Sequence, residues 1–131
     1  MPSYTHINLK TDVEDVAPKF GFAPNLETRV ARKPLGLEKS GMSYYRVAPG
    51  YRLPFGHRHG EQEEVYLLLS GSARMKLDDD IVELKPLDVV RVPGEVIRAF
   101  EAGPEGAEIV AFGAPNNENA DAEMVQEWWT D

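Results

Sequence analysis

The chain has no cysteine. That absence excludes disulfides, a thiolate nucleophile and any zinc–thiolate centre, and a reducing cytoplasm is the expected setting. Nor is there an apolar run near the roughly 18 residues that cross a bilayer, so no membrane partner is expected. Met1 to His6 lacks the basic and then apolar regions of a secretory leader. No basic cluster offsets the net charge of −8, which argues against nucleic acid, where affinity rests on neutralising phosphates. The charge is better read as serving solubility. Repeats, low-complexity tracts and linkers are also missing. At 131 residues the chain is expected to form one domain, 1–131, able to bury about two-thirds of its unfolded surface.

Turn-forming residues, by contrast, are plentiful, and they fall between short apolar runs. Ser43 to Ala48 precedes Pro49-Gly50, Glu63 to Leu69 precedes Ser70-Gly71, and Ser72 to Leu77 precedes Asp78-Asp79-Asp80. Ile81 to Leu84, Asp88 to Val92, Ile97 to Glu101 and Ala107 to Phe112 continue the series, with Pro93-Gly94 and Gly103-Pro104 between them. Short strands at this spacing predict an all-β sandwich or barrel. Before them, Asp12 to Ala17 reads as a short helix capped by Thr11 or Asp12 and limited by Pro18, and Asn25 to Ala31 as an early strand. After them, Asn116 to Asn119 is a break, and Ala120 to Trp129 reads as a terminal helix or an extended arm.

His57-Arg58-His59, with Glu64 after four intervening residues and Gly71 after six more, is the chemically informative run. Alternation along a strand sends His57 and His59 the same way, and Glu64 opens the next strand, so the run reads as one face of a β-hairpin. Two imidazoles and a carboxylate with open positions suit non-haem iron, and can also hold manganese, nickel or zinc. The plain alternative, a polar pair in a turn after Pro54-Phe55-Gly56, loses ground because Glu64 and Gly71 stand in register.

These residues resemble the first sequence motif of the cupin superfamily: a Gly, five residues, His-x-His, three or four residues, Glu, six residues, Gly. Gly50 is followed by six residues rather than five; His57, His59, Glu64 and Gly71 fit. The second cupin motif, Gly-x5-Pro-x-Gly-x2-His-x3-Asn, is matched only at Pro93. Leu87, Glu95, Arg98 and Ala102 stand where it has its first Gly, second Gly, His and Asn. Glu61 to Tyr66 together with Trp128-Trp129 further resembles a group of small single-domain bacterial cupins. The resemblance implies a double-stranded β-helix (jelly-roll) barrel over about 42–113, with an N-terminal arm 1–41 and a C-terminal tail 114–131. It implies His57, His59 and Glu64 as metal ligands.

Arg98 departs from the pattern at the fourth ligand. Guanidinium has five donors, no acceptor, and keeps its proton. A unit charge about 5 Å from a dication, at an effective dielectric near 20, is repelled by roughly 6–7 kcal/mol. Two arrangements therefore stand. Either Arg98 turns to the barrel mouth and leaves a metal on three ligands, or it pairs with Glu64 and no metal binds. In the second case Arg98 is read as an anion clamp.

Gln62 shares the parity of Glu64 and is read as a rim residue. Tyr66 and Phe100 are read as lining a ligand cavity, against the default that they fill the barrel. Trp128 and Trp129 read as an apolar tail anchor, on this subunit or a partner. Three functions follow from these readings. One is a divalent-metal enzyme of dioxygenase, isomerase or lyase type acting on a small molecule. Another is a metal-free isomerase, epimerase or cyclase with a histidine as acid or base. The last is a non-catalytic ligand-binding module. A homodimer is expected, because an open barrel leaves sheet edges to cover, with Val30 and the Trp tail as candidate apolar material.

Overall fold

The computed structural model describes residues 3–116 and 122–131. Among these residues eight strands form one curled, wholly antiparallel sheet: β1 (Leu26–Val30), β2 (Gly41–Val47), β3 (Phe55–Arg58), β4 (Glu63–Leu77), β5 (Asp80–Leu84), β6 (Val89–Val92), β7 (Arg98–Ala114) and β8 (Glu123–Gln126). The all-β barrel expected from the spacing is the fold observed. Among the described residues no helix is long and apolar enough to cross a membrane.

β4 and β7 organise the barrel. The sequence predicts two strands in each of these stretches, yet each is continuous. Their ladder runs from Glu63↔Ala114 to Gly71↔Ala107, shifts, and resumes from Ala73↔Ala102 to Leu77↔Arg98. Gly71 (φ +81°) and Gly106 (φ +80°) sit at the shift. A Cβ on Gly71 would lie 2.0 Å from the Gly106 carbonyl oxygen, so the two backbones meet where only glycine fits. The bulge bends both strands without ending their pairing. The two halves of the curled sheet thereby face one another, and Tyr66, Leu68, Met75, Val92, Phe100 and Ile109 fill the space between them.

The N-terminal segment differs from the expected helix. Helix α1 spans Leu9–Asp12, one turn earlier, because Asn8 caps it by accepting from the Lys10 and Thr11 amides. Val13 is already extended. Asp15 then accepts from the Ala17 and Thr28 amides, which ties the segment to β1 in place of helical bonding. A 3-10 turn follows over Ala17–Phe20, and a second short helix, α2 (Arg32–Leu35), joins β1 to β2. At the other end, β8 shows that the tail is an extended arm over the residues described; 117–121 lie outside them.

Candidate functional site

His57 and Glu64 do not belong to one hairpin, contrary to the sequence reading. β3 pairs with β7 through His57↔Arg98 on one side and with β8 on the other. The loop after β3 then carries the chain to β4. It packs so tightly on Gly94 that a Cβ there would lie 2.9 Å from the Gln62 carbonyl and 3.1 Å from that of His59. Curling of the sheet, rather than a turn, brings Glu64 opposite the imidazoles. The ladder partner of His57 is Arg98, which explains why the guanidinium shares the site.

Four side chains converge on one oxygen. Tyr66 donates its hydroxyl to Glu64 Oε1 at 2.9 Å, while His59 Nε2 and Arg98 Nη2 lie 3.4 Å from that atom and His57 Nε2 3.6 Å. Arg98 is fully buried, and its Nη1 donates to the carbonyls of Val96 (2.9 Å), Gly94 (3.3 Å) and His57 (3.4 Å). Those carbonyls hold the guanidinium in place, while Nε and Nη2 are buried without a hydrogen-bond acceptor. The two imidazole rings stand edge to face, 5.2 Å apart.

The charge distribution follows from these contacts. Burial alone would push the Glu64 carboxyl up; the facing His57 and His59 imidazoles, the Arg98 charge and the Tyr66 hydroxyl outweigh it and hold the group well below the usual carboxylate range. Below it lies an aromatic floor of Tyr45, Tyr66 and Phe100, with Phe100 edge-on to both phenols. Burial, reinforced by the Glu64 charge, pushes Tyr45 up to about 12 and Tyr66 well above its ordinary value, so both hydroxyls stay neutral.

The ligating atoms of His57, His59 and Glu64 all lie within 4.8 Å of one another, a set able to hold a metal ion. Donors at roughly 2.0–2.2 Å from an ion are the requirement, and these three can close on one. Arg98 works against that use. It is locked beside the carboxylate oxygen an ion would share, and it has no lone pair to offer.

Above Glu64 the barrel is hollow. On the inward face Gly41 pairs with Gly113 and Ser43 with Ala111, whereas the next rank carries Tyr45, Ile109 and Leu68. The small rank leaves an open-mouthed cavity of about 670 Å³, lined by Gln62, Glu64, Ser43 and Ala111 and flanked by Val13, Val16 and α2. Gln62 is buried rather than at an exposed rim, and its amide covers Gly113, where a Cβ would come within 2.7 Å of Nε2. Tyr66 and Phe100 pack deep beneath the site. Sequence reasoning missed Ser43, Tyr45 and the α2 wall. The small-residue alternation Gly41, Ser43 and Ala111, Gly113 was the signal available for the cavity.

The tail docks on its own barrel. Lys76 donates to the Trp128 carbonyl at 2.7 Å and lies over its ring at 3.8 Å, while Trp129 Nε1 donates to Leu53. Arg52 stacks on Trp129, and Asp131 pairs with both Arg52 and Arg74.

No protein-family model matches the chain, and no curated protein matches it. Its structure is similar to a cupin protein from Bacteroides fragilis (20% identity, 90% of this chain and 89% of that one, TM-score 0.71). It is similar to the polyketide cyclase RemF from Streptomyces resistomycificus (20% identity, 100% and 89%, TM-score 0.71). It is also similar to the nucleoside dehydratase Pac13 (17% identity, 96% and 92%, TM-score 0.70). A single-substitution variant of Streptomyces Pac13 has been solved with uridine.

Proposed function

We propose that this chain, a cupin by fold, binds a small anionic or carbonyl-bearing molecule at a metal-free site where His57 and His59 move protons. The observation that carries this reading is the locked Arg98 guanidinium, 3.4 Å from the Glu64 oxygen that both imidazoles face. In that arrangement Glu64 is neutralised by Arg98 rather than by an ion. The carboxylate faces Nε2 of both rings, so each imidazole can exchange a proton at that edge of the pocket. A proton acceptor and donor side by side in a largely buried pocket suit isomerisation, epimerisation, dehydration or cyclisation of a carbonyl compound. A nucleoside dehydratase and a polyketide cyclase are among the proteins of similar fold. At such low identity the reaction class rests on the site, not on them.

A divalent-metal enzyme using His57, His59 and Glu64 is the second reading, favoured by the 4.8 Å cluster of ligating atoms. Metal content of untagged protein, with titration of iron(II), manganese(II), nickel(II) and zinc(II), decides between them. The metal-free reading expects no stoichiometric metal in the wild type and acquisition of one by Arg98→His, which supplies a fourth ligand and removes the opposing charge. One equivalent of metal in the wild type, lost in His57→Ala, would overturn it.

The chain acts as a homodimer in this reading. On the outer face of the sheet Phe112 lies beside Val65, and Val110 beside Leu67 and Val89, an apolar patch in register across three strands. Phe112 and Val89 are about half exposed there. The tail, being docked on its own barrel, is not the contact. Light scattering that finds a monomer at micromolar concentration would reject the pairing.

A further inference from the structure

We infer that Arg32 is the anion-recognising residue of the barrel-mouth cavity, and that the pocket takes a small organic molecule bearing a carboxylate or phosphate group. This deepens the reading above and rests on it for the identity of the site. The chain has 22 acidic and 14 basic residues, so carboxylates are in excess. Arg29 and Arg46 pair with Glu27, Arg52 and Arg74 with Glu101, Arg58 with Glu123, Arg91 with Glu63 and Arg98 with Glu64. Among the described residues Arg32 is the arginine with no carboxylate beside it. Its Nη2 donates to the Glu38 carbonyl at 3.3 Å, which orients the guanidinium, and its Nε is buried with no acceptor.

Arg32 lines the same cavity as Gln62 and Glu64. Lys33, next to it on α2, adds a second cation to that wall. Of the acids in the lining, Glu14 is answered by Lys19 at 3.1 Å and Glu64 by Arg98. The α2 wall is thus the cationic side of an otherwise balanced pocket. Arg98 cannot serve as the clamp itself, being fully buried with Nη1 turned to three carbonyls. Val13, Val16 and Met42 supply apolar wall for an organic body, and about 670 Å³ is within the range of small-molecule sites. The Nη1 edge of the Arg32 guanidinium, which bonds no acceptor among the described residues, can donate to an oxygen of a carboxylate or a phosphate. The anionic end therefore lies at Arg32 and the rest of the ligand extends to Gln62 and Glu64.

The test uses phenyl phosphate, benzoate and uncharged benzyl alcohol at constant ionic strength, followed by the Arg32 Nε–H resonance, which is assigned by its loss in Arg32→Lys. A saturating shift with phenyl phosphate alone identifies a phosphate head, with benzoate alone a carboxylate, and with both a site for either. Arg32→Ala is expected to raise Kd tenfold or more, and Arg91→Ala, at an exposed paired arginine, less than twofold. The remaining amide spectrum verifies that Arg32→Ala is folded. Absence of a shift with either anion, an equal response to benzyl alcohol, or an Arg32→Ala affinity within twofold of wild type would each overturn the assignment. Anion binding that persists in a protein found to carry stoichiometric metal would sink the metal-free reading and leave this one standing.

Discussion

The indole of Trp128 occupies the space that a side chain at Gly56 would need: a Cβ there would lie 2.8 Å from its Cγ and Cδ1. Gly56 belongs to β3, the strand that ends in His57, and β8 lies along that strand from Phe55↔Gln126 to Arg58↔Glu123. On its other side β3 has one ladder position in β7. The tail is therefore the main lateral support of the strand that carries the imidazoles.

Gly56→Ala is expected to displace Trp128 and to destabilise the fold by about 1–3 kcal/mol, as overpacking of a filled site does. Denaturant unfolding followed by Trp fluorescence measures it. A change below about 0.5 kcal/mol, the scale of an ordinary surface substitution, would show that the tail is not held against β3.

Two glycines with the same backbone need separate the cost of conformation from the cost of contact. Gly21 has φ +78° with nothing within 4 Å of an added Cβ, whereas Gly71 has φ +81° and meets the Gly106 carbonyl at 2.0 Å. Gly21→Ala should lose about 1 kcal/mol, the cost of a left-handed non-glycine residue. Gly71→Ala should lose clearly more, because the β4–β7 ladder must part. Equal losses in chemical denaturation would mean that the bulge can open freely.

The Glu64–Arg98 pair is expected to behave as a buried unit. Arg98→Met leaves the carboxylate without its cation and should cost about 3–5 kcal/mol, while adding Glu64→Gln to it should recover part of that loss. A double-mutant cycle reads the coupling. Additive effects of the two changes would show that the residues do not interact in solution.

Acid should weaken the protein partly through Glu27. Burial pushes this carboxyl up, but hydrogen bonds from Lys10, Arg29 and Arg46 outweigh it and bring the group down to about 2. A depressed carboxylate stabilises the fold above its unfolded value, near 4.5, and that contribution is lost as pH falls towards 2. It is on the order of 2 kcal/mol, since each pKa unit is worth about 1.4 kcal/mol and part of the cluster is exposed. Glu27→Gln should flatten the stability profile between these limits. A profile with unchanged slope would assign the acid sensitivity elsewhere.

Local chemistry carried much of the fold into view. The turn residues between apolar runs located β2, β5 and β6 to within a residue or two, and Tyr66 and Phe100 point inward as read. It could not show that β4 and β7 run unbroken through Gly71 and Gly106, because a glycine at a bulge reads like a glycine at a turn. The cap at Asn8, where the pattern points to Thr11 or Asp12, has a similar cause. Asn, Thr and Asp stand close together before the first helix, and which one caps depends on where Asp15 finds its bonds.

At the site, the residue types and spacing of His57, His59, Glu64 and Arg98 were written in the chain, and with them the conflict between a ligand set and a fixed cation. Spacing along one strand says which way a side chain points, not what faces it across a barrel. The orientation of Arg98, the burial of Gln62, the aromatic floor under Glu64 and the α2 wall with Arg32 all depend on contacts between distant segments. Curling of the sheet chose among arrangements that the linear pattern left equal: three backbone carbonyls, contributed by β3 and by the turn before β7, fix the guanidinium against Glu64.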